Sequence, residues 1–200
     1  MMPAVAELQA VSASERTKIL EAPRTSAAHR ALLAELPGLN PVQHGGAAML
    51  ESLPPEFTVL AWNLERCLFP EDSAAHLADV APQVVLLSEM DHGMARTKQR
   101  HTTEDMARAL GMAYAFGVEF FEMDLGGETE REFCKDDFNA RGWHGNAILS
   151  AVPFDKVTMF RLDDHGHWFT ADAGGDAGQP RIGGRNAIAA VVPSESGPLC

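Results

Sequence analysis

The segment that decides the fold is Val84-Val85-Leu86-Leu87-Ser88-Glu89-Met90-Asp91. Four consecutive apolar residues are typical of a strand that is buried on both faces of a sheet. A carboxylate directly after such a strand is costly to bury unless it is paired or bound to a cation. Glu89 is therefore the best single candidate for a metal ligand. The structural alternative is a salt bridge to Arg96, Lys98 or Arg100.

Strands and helices alternate on both sides of this segment. Residues 57–62 have a β-type composition, and a helix is predicted from Ser73 to Val80. A second helix is predicted over residues 104–110. Further strands are predicted at 114–121, 146–150, 157–160 and 186–192, with loops at 123–142 and 163–184. This alternation predicts a mixed α/β domain with the sheet in its core.

The first 52 residues differ in composition from the rest of the chain. They are rich in Ala, Glu, Leu and Arg, and residues 26–36 carry an approximate apolar stripe that ends at Pro37-Gly38. Residues 41–46 have the composition of a linker. We therefore expect a helical N-terminal extension and linker over residues 1–52, without chemistry of its own, and the α/β domain over residues 53–200.

Composition and charge limit the class of protein. With 200 residues, of which 46% are hydrophobic, the chain can bury one real core. A net charge of −12 argues against tight non-specific DNA binding, although an acidic pocket can hold Mg²⁺. No apolar run is long enough to span a membrane, and no secretory signal is evident. Cys67, Cys134 and Cys200 form no CxxC pair, so a reducing cytoplasm is expected.

Two other predicted strand ends carry polar side chains. Asn63 and Glu65 follow the strand at 57–62, at the rim where α/β sheets bind ligands. The alternative to a ligand-binding role is structural: Asn63 would cap a turn, and Glu65 would be solvated. His144 and Asn146 flank Gly145 at the start of a later strand, where a glycine lets a ligand approach the backbone closely.

Taken in order, these segments resemble the endonuclease/exonuclease/phosphatase family. The resemblance covers about residues 57 to 192, and it depends on Trp62-Asn63-Leu64-Glu65, on residues 82–89 and on Asn146-Ala147-Ile148-Leu149-Ser150. It implies an α/β (α+β sandwich) fold with a DNase I-like two-sheet core flanked by helices, of which this chain holds the N-terminal half. It also implies hydrolysis of phosphoester bonds by in-line attack of water, assisted by Mg²⁺, with Mn²⁺ as the alternative metal.

The resemblance also assigns roles to individual residues. Glu89 corresponds to the metal-binding glutamate, and Asn63 to an asparagine near the metal and the scissile phosphate. Glu65 occupies a position that is often acidic, and His144 and Asn146 correspond to residues that face the substrate.

Two basic residues are candidates for phosphate binding. Arg185 corresponds to a basic residue that many family members carry, and Arg96 lies in a basic stretch that could hold a phosphate. Asp91 departs from the pattern, because nucleases of the family often have a basic residue two positions after the glutamate. This departure argues against a DNA-cleaving enzyme.

The family's later strands supply a His, an Asp-x-Asn pair and a terminal Asp-His pair, and none of these follows Val192. Loss of a general base costs about 10²–10⁴-fold, so we expect little or no activity from this chain alone. The substrate classes left open are nucleic acid, a lipid headgroup and a small phosphodiester. The alternatives to an enzyme are a non-catalytic fragment or pseudoenzyme, and a zinc-binding module around His165 and His167.

Overall fold

The structure is a computed structural model that describes residues 4–170 and 181–200. Nine strands are β1 (Ala4–Val5), β2 (Val42–Gly46), β3 (Val59–Arg66), β4 (Val84–His92), β5 (Ala113–Glu122), β6 (Trp143–Ser150), β7 (Lys156–Arg161), β8 (Arg181–Gly183) and β9 (Asn186–Val191) within that part of the chain. The α-helices there are α1 (Ala13–Glu21), α2 (Ser26–Glu35), α3 (Pro70–Ala78), α4 (Thr102–Leu110) and α5 (Glu128–Arg131). The predicted mixed α/β class is confirmed.

The main sheet has seven strands and a mixed arrangement. Its order is β1-β2-β5-β6-β4-β3, and β8 pairs with β5 at one end. Strands β3 and β4 are parallel, whereas β6 runs antiparallel to both of its neighbours, β4 and β5. Strands β7 and β9 form a separate antiparallel pair. Strand β3 therefore lies at one edge of the main sheet, next to β4.

The two faces of the main sheet are covered differently. Val85 and Leu87 point into the principal core, whereas Leu86 between them is 41% exposed. The expectation that β4 is buried on both faces is thus wrong at Leu86. The β7–β9 pair packs on that second face over β2 and β5, where Ala115 meets Met159. The helices contribute to the principal core through Ile19, Leu32, Leu77 and Met106.

The predicted linker at residues 41–46 is a strand. Val42–Gly46 form β2, which pairs along its whole length with β5. Leu8, Leu33 and Leu39 are buried in the same core as the central strands. The Gly45-Gly46 pair and Pro41 suggested a linker, but backbone pairing with β5 outweighs local propensity here.

Several element boundaries also differ from prediction. Helix α3 begins at Pro70, which fits the first turn because it has no N–H to leave unpaired, so Ser73 lies inside the helix rather than at its cap. Strand β3 begins at Val59 and continues through Arg66. The predicted loop at 163–184 lies partly outside the described residues, and its last part contains β8.

None of the helices in residues 4–170 and 181–200 has both the length and the apolarity that a membrane crossing requires.

Two histidines are stacked inside the fold. The rings of His92 and His101 lie 3.9 Å apart between centroids and are nearly parallel, and both side chains are buried against Phe116. Within residues 4–170 and 181–200, no partner hydrogen-bonds to either ring nitrogen of His101. Burial lowers the pKa of His92 to about 4, assisted by the charge of Arg141 and opposed by Glu7. Burial also lowers the pKa of His101, with His92 and Arg141 acting in the same direction.

This pair is expected to make the free energy of unfolding depend on pH. The folded-state pKa values lie below the unfolded value of about 6.5, so the unfolded chain binds more protons as pH falls from 6.5 towards 4. The free energy of unfolding that the neutral rings contribute is fully present above pH 6.5. It decreases as the pH falls from 6.5 towards 4, and His92 alone accounts for a decrease of ~3 kcal/mol. His29, whose pKa burial also lowers, acts in the same direction.

The measurement is urea denaturation at several pH values between 4 and 7. His101→Leu is expected to reduce the slope of unfolding free energy against pH. His44→Leu is the matched control, because His44 is exposed on β2 and should leave the slope unchanged. An unchanged slope in His101→Leu would contradict the assignment.

Candidate active site

Three irregularities in the main sheet each contain a glutamate. Strand β3 has one more residue than its partner β4 around Glu65. Strand β4 has one more residue than its partner β6 around Glu89. Strand β5 has one more residue than β6 at Glu119. Each is a β-bulge, which leaves a residue unpaired and re-aims its side chain. The bulges on adjacent strands β3 and β4 therefore place Glu65 and Glu89 outside the regular alternation of the sheet, and Asn63 is the last paired residue before the β3 bulge.

The backbone at these bulges adopts left-handed conformations. Glu65, Arg66 and Cys67 have φ values of 45°, 79° and 53°, and Glu89 has a φ of 60°. A non-glycine residue in this region costs on the order of 1 kcal/mol or more, and such residues concentrate at functional sites. The conformation brings Arg66, at the end of β3, against Glu89 on β4.

Both oxygens of the Glu89 carboxylate have partners. The Asn63 side-chain amide donates to Oε1 at 3.0 Å, and the Arg66 guanidinium donates to Oε2. The Glu65 backbone N–H in turn donates to the side-chain oxygen of Asn63 at 3.0 Å, which fixes the amide orientation. The cation that pairs with Glu89 is thus Arg66, and not Arg96, Lys98 or Arg100.

These contacts keep Glu89 ionised. Burial on its own raises the pKa of Glu89, but the hydrogen bond from Asn63 and the charges of Arg66, His144 and Arg185 outweigh it, so the pKa lies below the ordinary value. Its side chain is 28% exposed, so a solvent ion can reach it.

The residues around Glu89 fit a hydrated divalent cation. Mg²⁺ in proteins commonly takes one or two carboxylates and keeps several waters. Glu89 supplies one ionised carboxylate, already balanced by a cation, whereas Asn63 turns its amide nitrogen rather than its oxygen towards Glu89. A metal at Glu89 would have to displace Arg66.

The alternative of a zinc site at His165 and His167 is not assembled in the described residues. In the described part of the chain, the only three metal-binding side chains whose ligand atoms lie within 4.8 Å of one another are Asp163, Asp164 and His165. His167 is not among them and instead contacts the ring of Trp168. This acidic cluster is largely exposed.

Arg96 is the centre of a buried ion-pair network. Its guanidinium donates to both oxygens of Asp91, at 2.7 and 2.9 Å, and to Glu122 at 3.0 Å and Glu130 at 2.8 Å. The side chains of Arg96 and Asp91 are 1% and 0% exposed. Arg96 would have to break these ion pairs to bind a phosphate, although it also contributes to the wall of the cavity beside Arg66. Asp91, the departure from the family pattern, is thereby explained as its partner.

His144 is held by the same aspartate. Its Nδ1 lies 2.8 Å from Asp91 Oδ1, and the ring is buried. Burial raises the pKa of Asp91, but Arg96 and His144 outweigh it and keep the carboxylate ionised. A carboxylate at Nδ1 selects the tautomer in which Nε2 accepts a proton when the ring is neutral.

Asn146 belongs to a second polar chain. Its amide donates to Asn186 Oδ1 at 2.9 Å, and the Asn186 backbone N–H donates to Glu119 at 3.3 Å. The other Glu119 oxygen accepts from Arg185 at 3.1 Å. The Arg185 guanidinium lies over the Trp168 ring, and its side chain remains 54% exposed. Arg185 is therefore the predicted phosphate-binding residue that solvent can reach.

The structure places some of the predicted site residues in one depression and others elsewhere. Asn63 and Asn146 line one shallow depression of about 400 Å³ on the open face of β3, β4 and β6. Glu65 lines a different cavity, beside Arg66. Sequence analysis missed Arg66, Asn186 and Glu119. A lone carboxylate within the apolar run of β5 was a readable signal for Glu119, whereas nothing distinguished Arg66.

Gly145 has a structural role rather than the expected one at a ligand. A Cβ at this position would lie 2.1 Å from the carbonyl oxygen of Gly117 and 3.0 Å from the Glu119 nitrogen, both on β5. The glycine therefore permits the close approach of β5 to β6 at the Glu119 bulge.

Comparisons with known proteins give a limited result. No protein-family model matches the chain, and no curated protein matches it. Among solved structures, the chain is similar to an endonuclease/exonuclease/phosphatase from Beutenbergia cavernae, with a TM-score of 0.48 and 19% sequence identity. The similarity covers 71% of this chain and 36% of the other, so this chain spans well under half of that protein's length.

Proposed function

We propose that this chain belongs to the endonuclease/exonuclease/phosphatase family and supplies part of the active site of a metal-dependent phosphoester hydrolase. The observation that carries the proposal is the ionised Glu89, held at adjoining bulges by Asn63 and lying near the Asp91–His144 pair. Ionised carboxylates with fixed hydrogen-bond partners and strained backbone of this kind are concentrated at binding and catalytic sites.

Each residue has a proposed role in this reaction. Glu89 would hold Mg²⁺ or Mn²⁺, which when bound polarises a phosphoryl oxygen and stabilises developing charge. The Asn63 amide would orient the phosphate, and the exposed guanidinium of Arg185 would pair with its oxygens. His144, oriented by Asp91, would hold or release a proton at Nε2.

Part of the proposed chemistry would come from groups that the family's later strands supply. The resemblance calls for a further His, an Asp-x-Asn pair and an Asp-His pair. We therefore propose that turnover requires such groups beside Glu89, and that the 200-residue chain binds cation and phosphate with little hydrolysis. The cytoplasm is the proposed location, supported by the three unpaired cysteines.

A non-catalytic chain is the second candidate, and one observation favours it. The Arg66 guanidinium already neutralises Glu89 and would compete with a metal for the same carboxylate. In a pseudoenzyme this pair would be permanent, whereas in an enzyme the cation must displace it.

Cation binding by the 200-residue chain tests the proposal. In calorimetric titrations with Mn²⁺ and Mg²⁺, Glu89→Gln is expected to weaken binding at least about 10-fold, because it removes the only charged ligand of the site. Arg66→Met should strengthen binding several-fold by removing the competing cation. Asp163→Asn is the control, since it alters the separate exposed acidic cluster and should leave the Glu89-dependent site unchanged.

The outcomes separate the two candidates. Binding that survives Glu89→Gln but disappears in Asp163→Asn would overturn the metal role of Glu89. Binding that appears only in Arg66→Met would favour the non-catalytic chain. Metal-dependent hydrolysis of bis-p-nitrophenyl phosphate by the 200-residue chain itself would contradict its expected inactivity.

A further inference from the structure

A second cavity adjoins the candidate active site. It has a volume of about 620 Å³, within the range of small-molecule pockets, and it opens between the end of β3, the start of α3 and the short helix α5. The residues of its lining that matter here are Arg66, Phe69, Ser73, Thr129, Glu130 and Phe133.

Two phenylalanines form one wall of this cavity. Phe69, directly before α3, is 57% exposed, and its ring meets Phe133 edge-on, with centroids 6.3 Å apart at 84°. Phe69 is about as exposed as Phe160 on β7, but it is paired with Phe133 at the mouth of a cavity, where covering a Phe ring with a ligand would gain about 2 kcal/mol. An edge-to-face pair leaves a ring face free to stack on a third aromatic ring.

The other wall is polar. The Arg66 Nε donates to Glu130 at 2.8 Å, and the Gly127 backbone N–H donates to the other Glu130 oxygen at 2.9 Å. Ser73 and Thr129 add hydroxyl-bearing side chains to the lining. Aromatic faces combined with fixed hydrogen-bonding groups suit a planar ring with polar edges, whereas an alkyl chain would favour an uninterrupted apolar groove.

Arg66 joins this cavity to the candidate active site. The same guanidinium contacts Glu130 in the cavity and Glu89 at the proposed metal site. A ligand that extended past Arg66, once a metal had displaced the guanidinium from Glu89, would have its phosphate beside Asn63 and Glu89 and its substituent beside Phe69 and Phe133. The flat guanidinium between them is itself a surface on which a ring can stack.

We propose that this cavity binds the aromatic group of a phosphoester, an aryl or nucleobase ring, while its phosphate lies at Asn63 and Glu89. The inference rests on the proposed function and narrows its substrate class. Phe69 and Phe133 stack on the ring, and the hydroxyls of Ser73 and Thr129 contact its edge.

The test compares phosphate monoesters that differ only in their substituent. Binding of methyl phosphate, cyclohexyl phosphate and phenyl phosphate to the 200-residue chain is measured by calorimetry with Mg²⁺ present. Phenyl phosphate is expected to bind about 10-fold more tightly than methyl phosphate, since stacking on an aromatic side chain contributes about 1–3 kcal/mol. Phe69→Ala and Phe133→Ala should each remove most of that advantage while leaving methyl phosphate binding unchanged.

Phe160→Ala is the matched control, because Phe160 is 55% exposed but lies on β7, outside the lining. Equal binding of phenyl and methyl phosphate would overturn the inference, as would cyclohexyl phosphate binding as tightly as phenyl phosphate. A Phe69-dependent preference for phenyl phosphate that persists in Glu89→Gln would support the aromatic pocket and count against the proposed phosphate site. Absence of binding by all three esters would overturn both.

Discussion

Arg96→Met is expected to lower the free energy of unfolding by about 4 kcal/mol, because removing one partner of a buried ion pair leaves the other charge uncompensated. Arg96 neutralises Asp91 and Glu122, which are 0% and 1% exposed, and also contacts Glu130. Methionine fills a similar volume but provides no donors, so the buried carboxylates lose their charge-assisted hydrogen bonds. The measurement is urea denaturation at pH 7, followed by circular dichroism.

Arg100→Met is the matched control for this prediction. Arg100 also pairs with two carboxylates, Glu71 and Asp105, but its side chain is 29% exposed and Glu71 is 64% exposed. Solvent screens that network, so a loss of about 1 kcal/mol or less is expected. If Arg96→Met does not unfold the chain and costs no more than Arg100→Met, the buried network is not what stabilises this end of the sheet. Arg96→Lys, which keeps the charge without the planar fork, should fall between the two.

Gly145→Ala is expected to destabilise the fold by about 3 kcal/mol, because overpacking against a backbone carbonyl cannot be relieved by rotating a side chain. The contact at stake is the 2.1 Å approach of the added Cβ to the Gly117 oxygen. Either β5 and β6 separate, which breaks their hydrogen bonds, or the Glu119 bulge shifts. Thermal unfolding and urea denaturation both report the change.

Gly127→Ala provides the comparison for the glycine effect. A Cβ at Gly127 meets nothing within 4 Å, and the residue's φ of −72° is accessible to alanine. Its substitution should therefore change stability by only a few tenths of a kcal/mol. A Gly145→Ala variant as stable as Gly127→Ala would show that the sheet can absorb the extra methyl group at the Glu119 bulge.

The fold class could be predicted because its signals are local. The apolar run at Val84–Leu87 and the alternation of strands with short helices required only periodicity and composition. The strand at Val42–Gly46 could not be predicted in this way, since its glycines disfavour a strand and its pairing partner, β5, lies about 70 residues away. Its structure is determined by that long-range pairing.

The candidate site was predictable to the extent that it depends on strand ends. The interaction of Asn63 with Glu89 follows from two parallel neighbouring strands that end at the same edge. The bulges were not predictable, because an additional residue in a strand has no compositional signature. Arg66 was missed for this reason: a regular strand would not have brought it against Glu89. Arg96 was assigned to a substrate because its local sequence is basic, whereas its acidic partners Glu122 and Glu130 are distant in sequence.

The open face of β3 and β4 has a consequence for the behaviour of the chain in solution. Val59 and Leu86 on this face are 50% and 41% exposed, which gives two molecules an apolar surface for contact. The net charge of −12 opposes that contact at long range. Salt reduces the range of the electrostatic repulsion between molecules to about 8 Å at physiological ionic strength, but it leaves the short-range apolar attraction intact. The colloidal stability of the chain is therefore electrostatic, and it decreases as the buffer becomes more saline or more acidic.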